Sequence, residues 1–233
     1  MSMSASPPTV LRQRAALCDM LDALSDAQWH AETLCEGWDA GDVVAHLLVR
    51  EREPIPAIGI VFPPLSGLHD RRMAARKARG RERMMADLRG GPPPWMRLPM
   101  LRDVQVGEDW IHGADVARGG AALADGPTIV PSDGTEDADV ATLLWKAVGR
   151  FAPLTLRGIE AAGVIDLTDG TTHRTYRVGG PVARSANGAA PDLTVTGPVG
   201  ELVLFATGRP NCDVTLDGDE ALREAIEGAR RSV

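Results

Sequence analysis

Glu108 and His112 stand four residues apart in the run GEDWIHGADVAR, and His46 lies in a separate run, DVVAHLLVRE. On a helix that spacing puts the carboxylate and the imidazole on one face, about one turn above each other. A second imidazole facing them from another helix completes a set of two nitrogens and one carboxylate. Such a set holds a divalent transition metal and leaves coordination positions for water or substrate. Taken alone, His46 is either a ligand or a core histidine bonded to a neighbour, and Glu108 reads as a surface carboxylate unless both histidines join it. Asp115, three residues past His112, either orients a ligand histidine or faces solvent from the helix surface.

These residues need helices to present them. Over residues 9–25, Leu11, Ala15, Cys18, Leu21 and Leu24 recur at spacings of three and four and make one apolar stripe. The segment AETLCEGW reads as a loop, and Asp39 as an N-cap followed by an acidic first turn at Asp42. The next helix spans about 40–53, buries Val43, Val44, Leu47 and Leu48 beside His46, and stops at Pro54. A Pro-rich stretch, Ile55 to Ser66, leads into an Arg-rich segment, 68–89. Its stripe of Leu68, Met73, Met84, Met85 and Leu88 predicts a third, broken helix ending at Gly90 and Gly91. A fourth helix from about Leu101 to Arg118 carries Glu108 and His112, with Gly107 and Gly113 either side of them. A fifth covers 138–152.

The period then changes. GVIDLTDGTTHRTYRV alternates around a DG turn, the pattern of a β-hairpin turning at Asp169 and Gly170. DLTVTGP and CDVTLDG are further strands, ELVLFATGR is strand or helix, and DEALREAIEGARRS is a closing helix. Helices followed by strands imply an α+β protein: a helical domain over 1–153 and a small α+β domain over 154–233.

Composition bounds the function. A net charge of -7 argues against nucleic acid or an anionic membrane as the main partner. No apolar run approaches the roughly 20 residues that span a bilayer, and no secretory signal pattern is visible. Cys18, Cys35 and Cys212 have no CxxC pair and read as reduced thiols, so the expected location is cytoplasmic. Among 25 basic residues only Lys77 and Lys146 are lysines, a bias that points to a GC-rich bacterial genome.

The run LCEGWDAGDVVAHL (residues 34–47), the series Glu108, His112 and Asp115, and the run LLWKAVGR (residues 143–150) resemble the mycothiol-dependent maleylpyruvate isomerase family of actinobacteria. The run DLTVTGPVGELVLFATGR, followed by DGDEAL, resembles the sterol-carrier-type domain attached to those proteins. The resemblance covers nearly the whole chain. It implies a DinB-like four-helix bundle in which His46, Glu108 and His112 bind zinc or a similar divalent ion, with mycothiol as thiol cosubstrate. It also implies an arginine of the C-terminal domain, with Arg209 the candidate, that holds a substrate carboxylate.

Three function classes remain. The first is metal-dependent thiol transfer or thiol-assisted isomerisation of a small electrophilic or acidic substrate. The second is metal-assisted hydrolysis, favoured by a general base near the metal. The third is a metal or small-ligand binding module without turnover, favoured by a site sealed with apolar side chains. Among the remaining residues, Cys35 reads as an incidental loop thiol, and Trp38 and Trp110 as packing around the site. His30 and His69 read as solvated and His173 as a surface group. The cationic cluster Arg71, Arg72, Arg76, Lys77, Arg79, Arg81 and Arg83 reads as a solvated face rather than a receptor for an acidic substrate. Oligomeric state is not legible.

Overall fold

Helix α1 (Thr9–Ala23) turns its apolar stripe inward, burying Val10, Leu17, Cys18 and Leu21, and Arg14 is buried with them. A short α2 (Asp26–Trp29) opens on a capping box between Ser25 and Gln28. Helix α3 (Ala40–Arg52) opens on another. Asp42 N–H donates to Asp39 Oδ1 at 2.9 Å, and Asp39 N–H donates to Asp42 Oδ2 at 3.1 Å. The box satisfies backbone donors that the helix itself cannot, worth roughly 1 kcal/mol. Val43, Val44, Ala45, Leu47, Leu48 and Val49 are all buried, so α3 is wrapped on nearly every side.

In this computed structural model the described residues are 8–53, 66–130, 132–181 and 183–229. The expected stop at Pro54, the Pro-rich stretch through residue 65 and the tail of the closing helix lie outside them. The Arg-rich segment is two helices, α4 (Ser66–Lys77) and α5 (Arg81–Arg89). Gly80 separates them at φ 83°, a conformation that costs glycine little and other residues more. Helix α6 (Arg102–Arg118) packs on α1 and α3, α5 also packs on both, and α4 packs on α3. The result is a four-helix bundle of α1, α3, α6 and the broken α4–α5 pair. Gly113 lets α6 and α1 approach: a Cβ there would meet Leu17 Cδ1 at 3.3 Å.

The chain divides into two compact units, Met1–Pro131 and Ser132–Val233, ahead of the boundary expected near residue 153. Helix α7 (Ala138–Thr155) therefore groups with the second unit, where it packs against α8 (Val199–Ala206). A change of hydrophobic period marks where helix gives way to strand; it does not say what a helix packs on. Helix α7 also runs through Pro153 to Thr155. The run ELVLFATGR, open as strand or helix, is mostly the helix α8, with Leu202, Val203, Leu204 and Phe205 all buried.

Five strands form one sheet in the order β3-β2-β1-β4-β5: β1 (Gly163–Thr168), β2 (His173–Val178), β3 (Arg184–Ser185), β4 (Leu193–Thr196) and β5 (Thr215–Gly218). The β1–β2 hairpin is antiparallel, with Ile165 opposite Tyr176 and Thr168 opposite His173. Asp169 shapes the turn by accepting from the backbone N–H groups of Thr171 and Thr172 at 2.9 and 2.7 Å, and Gly170 takes φ 87°. Strand β1 pairs β4 in parallel, and β4 pairs β5 antiparallel. Helix α9 (Glu220–Gly228) closes the unit, capped by Asp219, whose Oδ1 accepts from Leu222 N–H at 2.9 Å.

Candidate functional site

Helix α3 supplies His46, and α6, packed against it, supplies Glu108 and His112 one turn apart. The three side chains meet. Glu108 Oε2 is 3.7 Å from His46 Nε2 and 3.6 Å from His112 Nε2, and one donor atom from each residue lies within 4.8 Å of the other two. The imidazole rings stand 4.8 Å apart between centroids at 61°. Trp38, from the loop before α3, lies against both, 5.2 Å from the His46 ring and stacked on His112 at 6.3 Å.

Behind His112, Asp115 is fully buried, and its Oδ2 lies 3.0 Å from His112 Nδ1. Cys35 Sγ donates to the same oxygen at 3.2 Å. The Asp115 backbone carbonyl accepts from Leu34 N–H at 3.0 Å, tying the Cys35 loop to α6. With a proton on Nδ1 held by Asp115, the Nε2 lone pair of His112 faces His46 and Glu108, the tautomer a metal ligand needs. Cys35, His112 and Asp115 also form a mutually close donor group. In that group Asp115 already accepts from both neighbours, so the His46, Glu108 and His112 set is the freer one.

The electrostatics suit a cation. Burial pushes His46 down to about 4, which leaves it neutral with one ring-nitrogen lone pair available at neutral pH. Burial raises Glu108, but the Arg50 charge and the adjacent His112 and His46 imidazoles outweigh it and hold the carboxyl well below its usual range. Arg50 Nε lies 3.3 Å from Glu108 Oε2, and its Nη2 donates to Gln105 Oε1 at 3.0 Å. For His112, burial opposes the charge, yet donation to Asp115 and the neighbouring Cys35 and Glu108 lift it well above the ordinary histidine value. His112 thus carries the proton that a metal would replace. His46 Nδ1 is buried and has no hydrogen-bond partner among the described residues. Two imidazoles and one carboxylate, each set by burial and neighbours, fit a divalent ion by donor chemistry.

Arg209 lies in the second unit, just after α8, half-buried, with Nη1 donating to the Thr207 carbonyl at 3.1 Å. Much of the cationic cluster is engaged within the first unit. Arg72 and Arg76 pair with Glu53, Lys77 with Asp39 and Asp42, and Arg79 with Asp87. Arg81 lies 4.3 Å over the Trp29 ring. His30 is exposed as expected, and Trp110, two positions past Glu108, is buried away from that face of α6. The expectation for His69 fails: it is buried and its ring packs on His46. The available signal was helical spacing, since His69 stands four residues before buried Met73.

Residues 10–117 match the family model described as the mycothiol maleylpyruvate isomerase N-terminal domain. Among solved structures, a histidine-to-alanine mutant of the mycothiol-dependent maleylpyruvate isomerase matches with a TM-score of 0.55 and 15% identity, over 90% of each chain. A second structure of that isomerase matches with a TM-score of 0.49 at the same identity and coverage. No curated protein shows significant similarity to the chain. The first of these structures shares the fold, and the family match adds sequence evidence across the helical unit. Residues 10–117 are thus similar in sequence to the mycothiol maleylpyruvate isomerase N-terminal domain.

Proposed function

We propose that this protein binds one divalent metal through His46, Glu108 and His112 and uses it, with mycothiol, to transfer a thiol to a small electrophile or to isomerise one. The convergence of one carboxylate oxygen and two imidazole nitrogens within 4.8 Å carries the reading. A divalent ion, most simply zinc, supplies Lewis acidity that favours the thiolate form of a thiol whose ordinary pKa is about 8.5.

The chain's own groups do the rest. His46, kept neutral by burial, and ionised Glu108 present lone pairs without first losing a proton. Asp115 fixes the His112 ring, and Arg50 offsets the Glu108 charge. Trp38 forms a wall shared with an open groove of about 470 Å³ that also takes in Asp42, Asp70, Met73 and Lys77. A groove of that size suits a sugar-linked thiol better than a lone water, which favours transfer over hydrolysis. In an isomerisation the sulfur adds to an activated double bond, the resulting single bond rotates, and elimination returns the thiol unchanged. On the same reading, Arg209 supplies the guanidinium that takes a substrate carboxylate.

The test is metal analysis and calorimetric titration with mycothiol on one preparation. One equivalent of metal with ligand distances of about 2.0–2.2 Å is expected if the ion is zinc. His46→Ala should lose the ion and keep the helical spectrum, since the bundle core is apolar. Full metal occupancy with no mycothiol binding would shift the reading to hydrolysis or plain binding, and absence of metal would remove it.

A further inference from the structure

His69 is a buried imidazole that the metal site leaves unused. It stands on α4 at 5% exposure, and its ring meets His46 edge-on, 5.3 Å between centroids at 69°. Its Nδ1 is 3.7 Å from Oδ1 of Asp70. Its Nε2 is buried without a hydrogen-bond partner among the described residues, and the same holds for Nδ1 of His46 beside it. Buried polar atoms are nearly always paired in native proteins, so two orphaned nitrogens in one ring pair mark a place where a bound ligand can supply the partner. His69 belongs to neither group of mutually close donors, so that partner is not the candidate metal itself.

The surroundings indicate what it is. Asp70, Met73, Ala74 and Lys77, the residues that follow His69 on α4, line the groove together with Trp38. Trp38 in turn lies 5.2 Å from the His46 ring. One aromatic side chain therefore borders both the groove and the candidate metal ligands. A small polar molecule with its sulfur at those ligands and its body in the groove runs along the α4 residues that follow His69.

We propose that His69 is a substrate-contacting residue, its Nε2 being the hydrogen-bond partner of an amide or hydroxyl group of the thiol cosubstrate. The assignment rests on the thiol reading of the His46, Glu108 and His112 site. It adds a specificity determinant on α4 that neither the metal motif nor the candidate arginine supplies.

The experiment is a calorimetric titration of the metal-loaded full-length protein with mycothiol. It compares the wild type with His69→Met, which keeps bulk but loses the nitrogen, and His69→Gln, whose amide can replace it. Both variants should retain wild-type metal stoichiometry. His69→Met should weaken mycothiol roughly fivefold to tenfold, and His69→Gln should recover most of the loss. His69→Phe keeps a ring and carries the same expectation should His69→Met not fold. Wild-type affinity in the folded Met or Phe variant overturns the proposal. So does loss of metal in it, which would mean that His69 acts through His46. If the wild type itself binds metal but not mycothiol, the thiol reading falls first and this assignment falls with it.

Discussion

Metal affinity should depend on pH through a single proton, and the three candidate ligands show why. Glu108 is held ionised by Arg50 and its histidine neighbours, so it surrenders no proton to a metal at any pH above the acid range. His46, pushed down to about 4 by burial, is already neutral above pH 5. His112 is different: Asp115, 3.0 Å from its Nδ1, helps hold it protonated well above the ordinary histidine value. A metal must displace that one proton. Between about pH 5 and the raised value of His112, affinity should therefore rise about tenfold per pH unit, then level off. Asp115→Asn removes the charge that holds the proton, so the plateau should begin at lower pH. The plateau itself should drop about 10- to 100-fold, because the ring loses its orienting partner. Competition against a chromophoric chelator across pH 5.5 to 8.5 reads both quantities. A slope of two would show that His46 is protonated as well, and a flat profile would show that His112 is not the proton-bearing ligand. Either result refutes the argument.

How far the sequence carried this reading depended on whether a feature is local. Asp39 and Asp42 form the box that their spacing implies, and the Glu108–His112 pair shares a helix face as period 3.6 requires. Gly80 was less legible, since an apolar stripe continues across a break that only the backbone angle reveals. Long-range partners were out of reach. Arg14 looks like a surface arginine in α1, yet it is buried against Glu51 and Asp109, whose positions follow from how α1, α3 and α6 pack. Cys35 looks incidental until the loop is tied to Asp115 on α6. His69 falls in an Arg-rich, strongly charged run, so its burial against His46 depends on how α4 docks on α3, information that no single segment holds. The grouping of α7 with the second unit was illegible for the same reason, because its amphipathic face fits a bundle or a sheet domain equally well.

Two further outcomes follow from particular contacts. Mycothiol should raise the melting temperature of the metal-loaded protein in proportion to the logarithm of its concentration once the site is saturated. The shift should persist in Cys35→Ala and vanish in His112→Ala; a shift lost only in the Cys35 variant would move the thiol chemistry onto the protein. The last concerns Arg14, whose Nε and Nη2 donate to Asp109 at 2.9 and 2.6 Å and whose Nη1 donates to Glu51 at 3.2 Å. Gln105 Nε2 adds a bond to Glu51 at 2.7 Å, so one cation and one amide serve two buried carboxylates. Arg14→Met leaves both carboxylates without their cation and should cost about 3–5 kcal/mol in urea unfolding of metal-free protein at pH 7. The deficit should shrink toward pH 5. Burial raises the Asp109 pKa even beside Arg14, so the folded state keeps that proton above the pH at which the unfolded chain releases it, and ionising the group destabilises the fold as pH rises. Without the guanidinium that proton is held more firmly still. A loss below 1 kcal/mol, or one that is flat with pH, would show that water reaches the carboxylates and that the charge is not buried in solution.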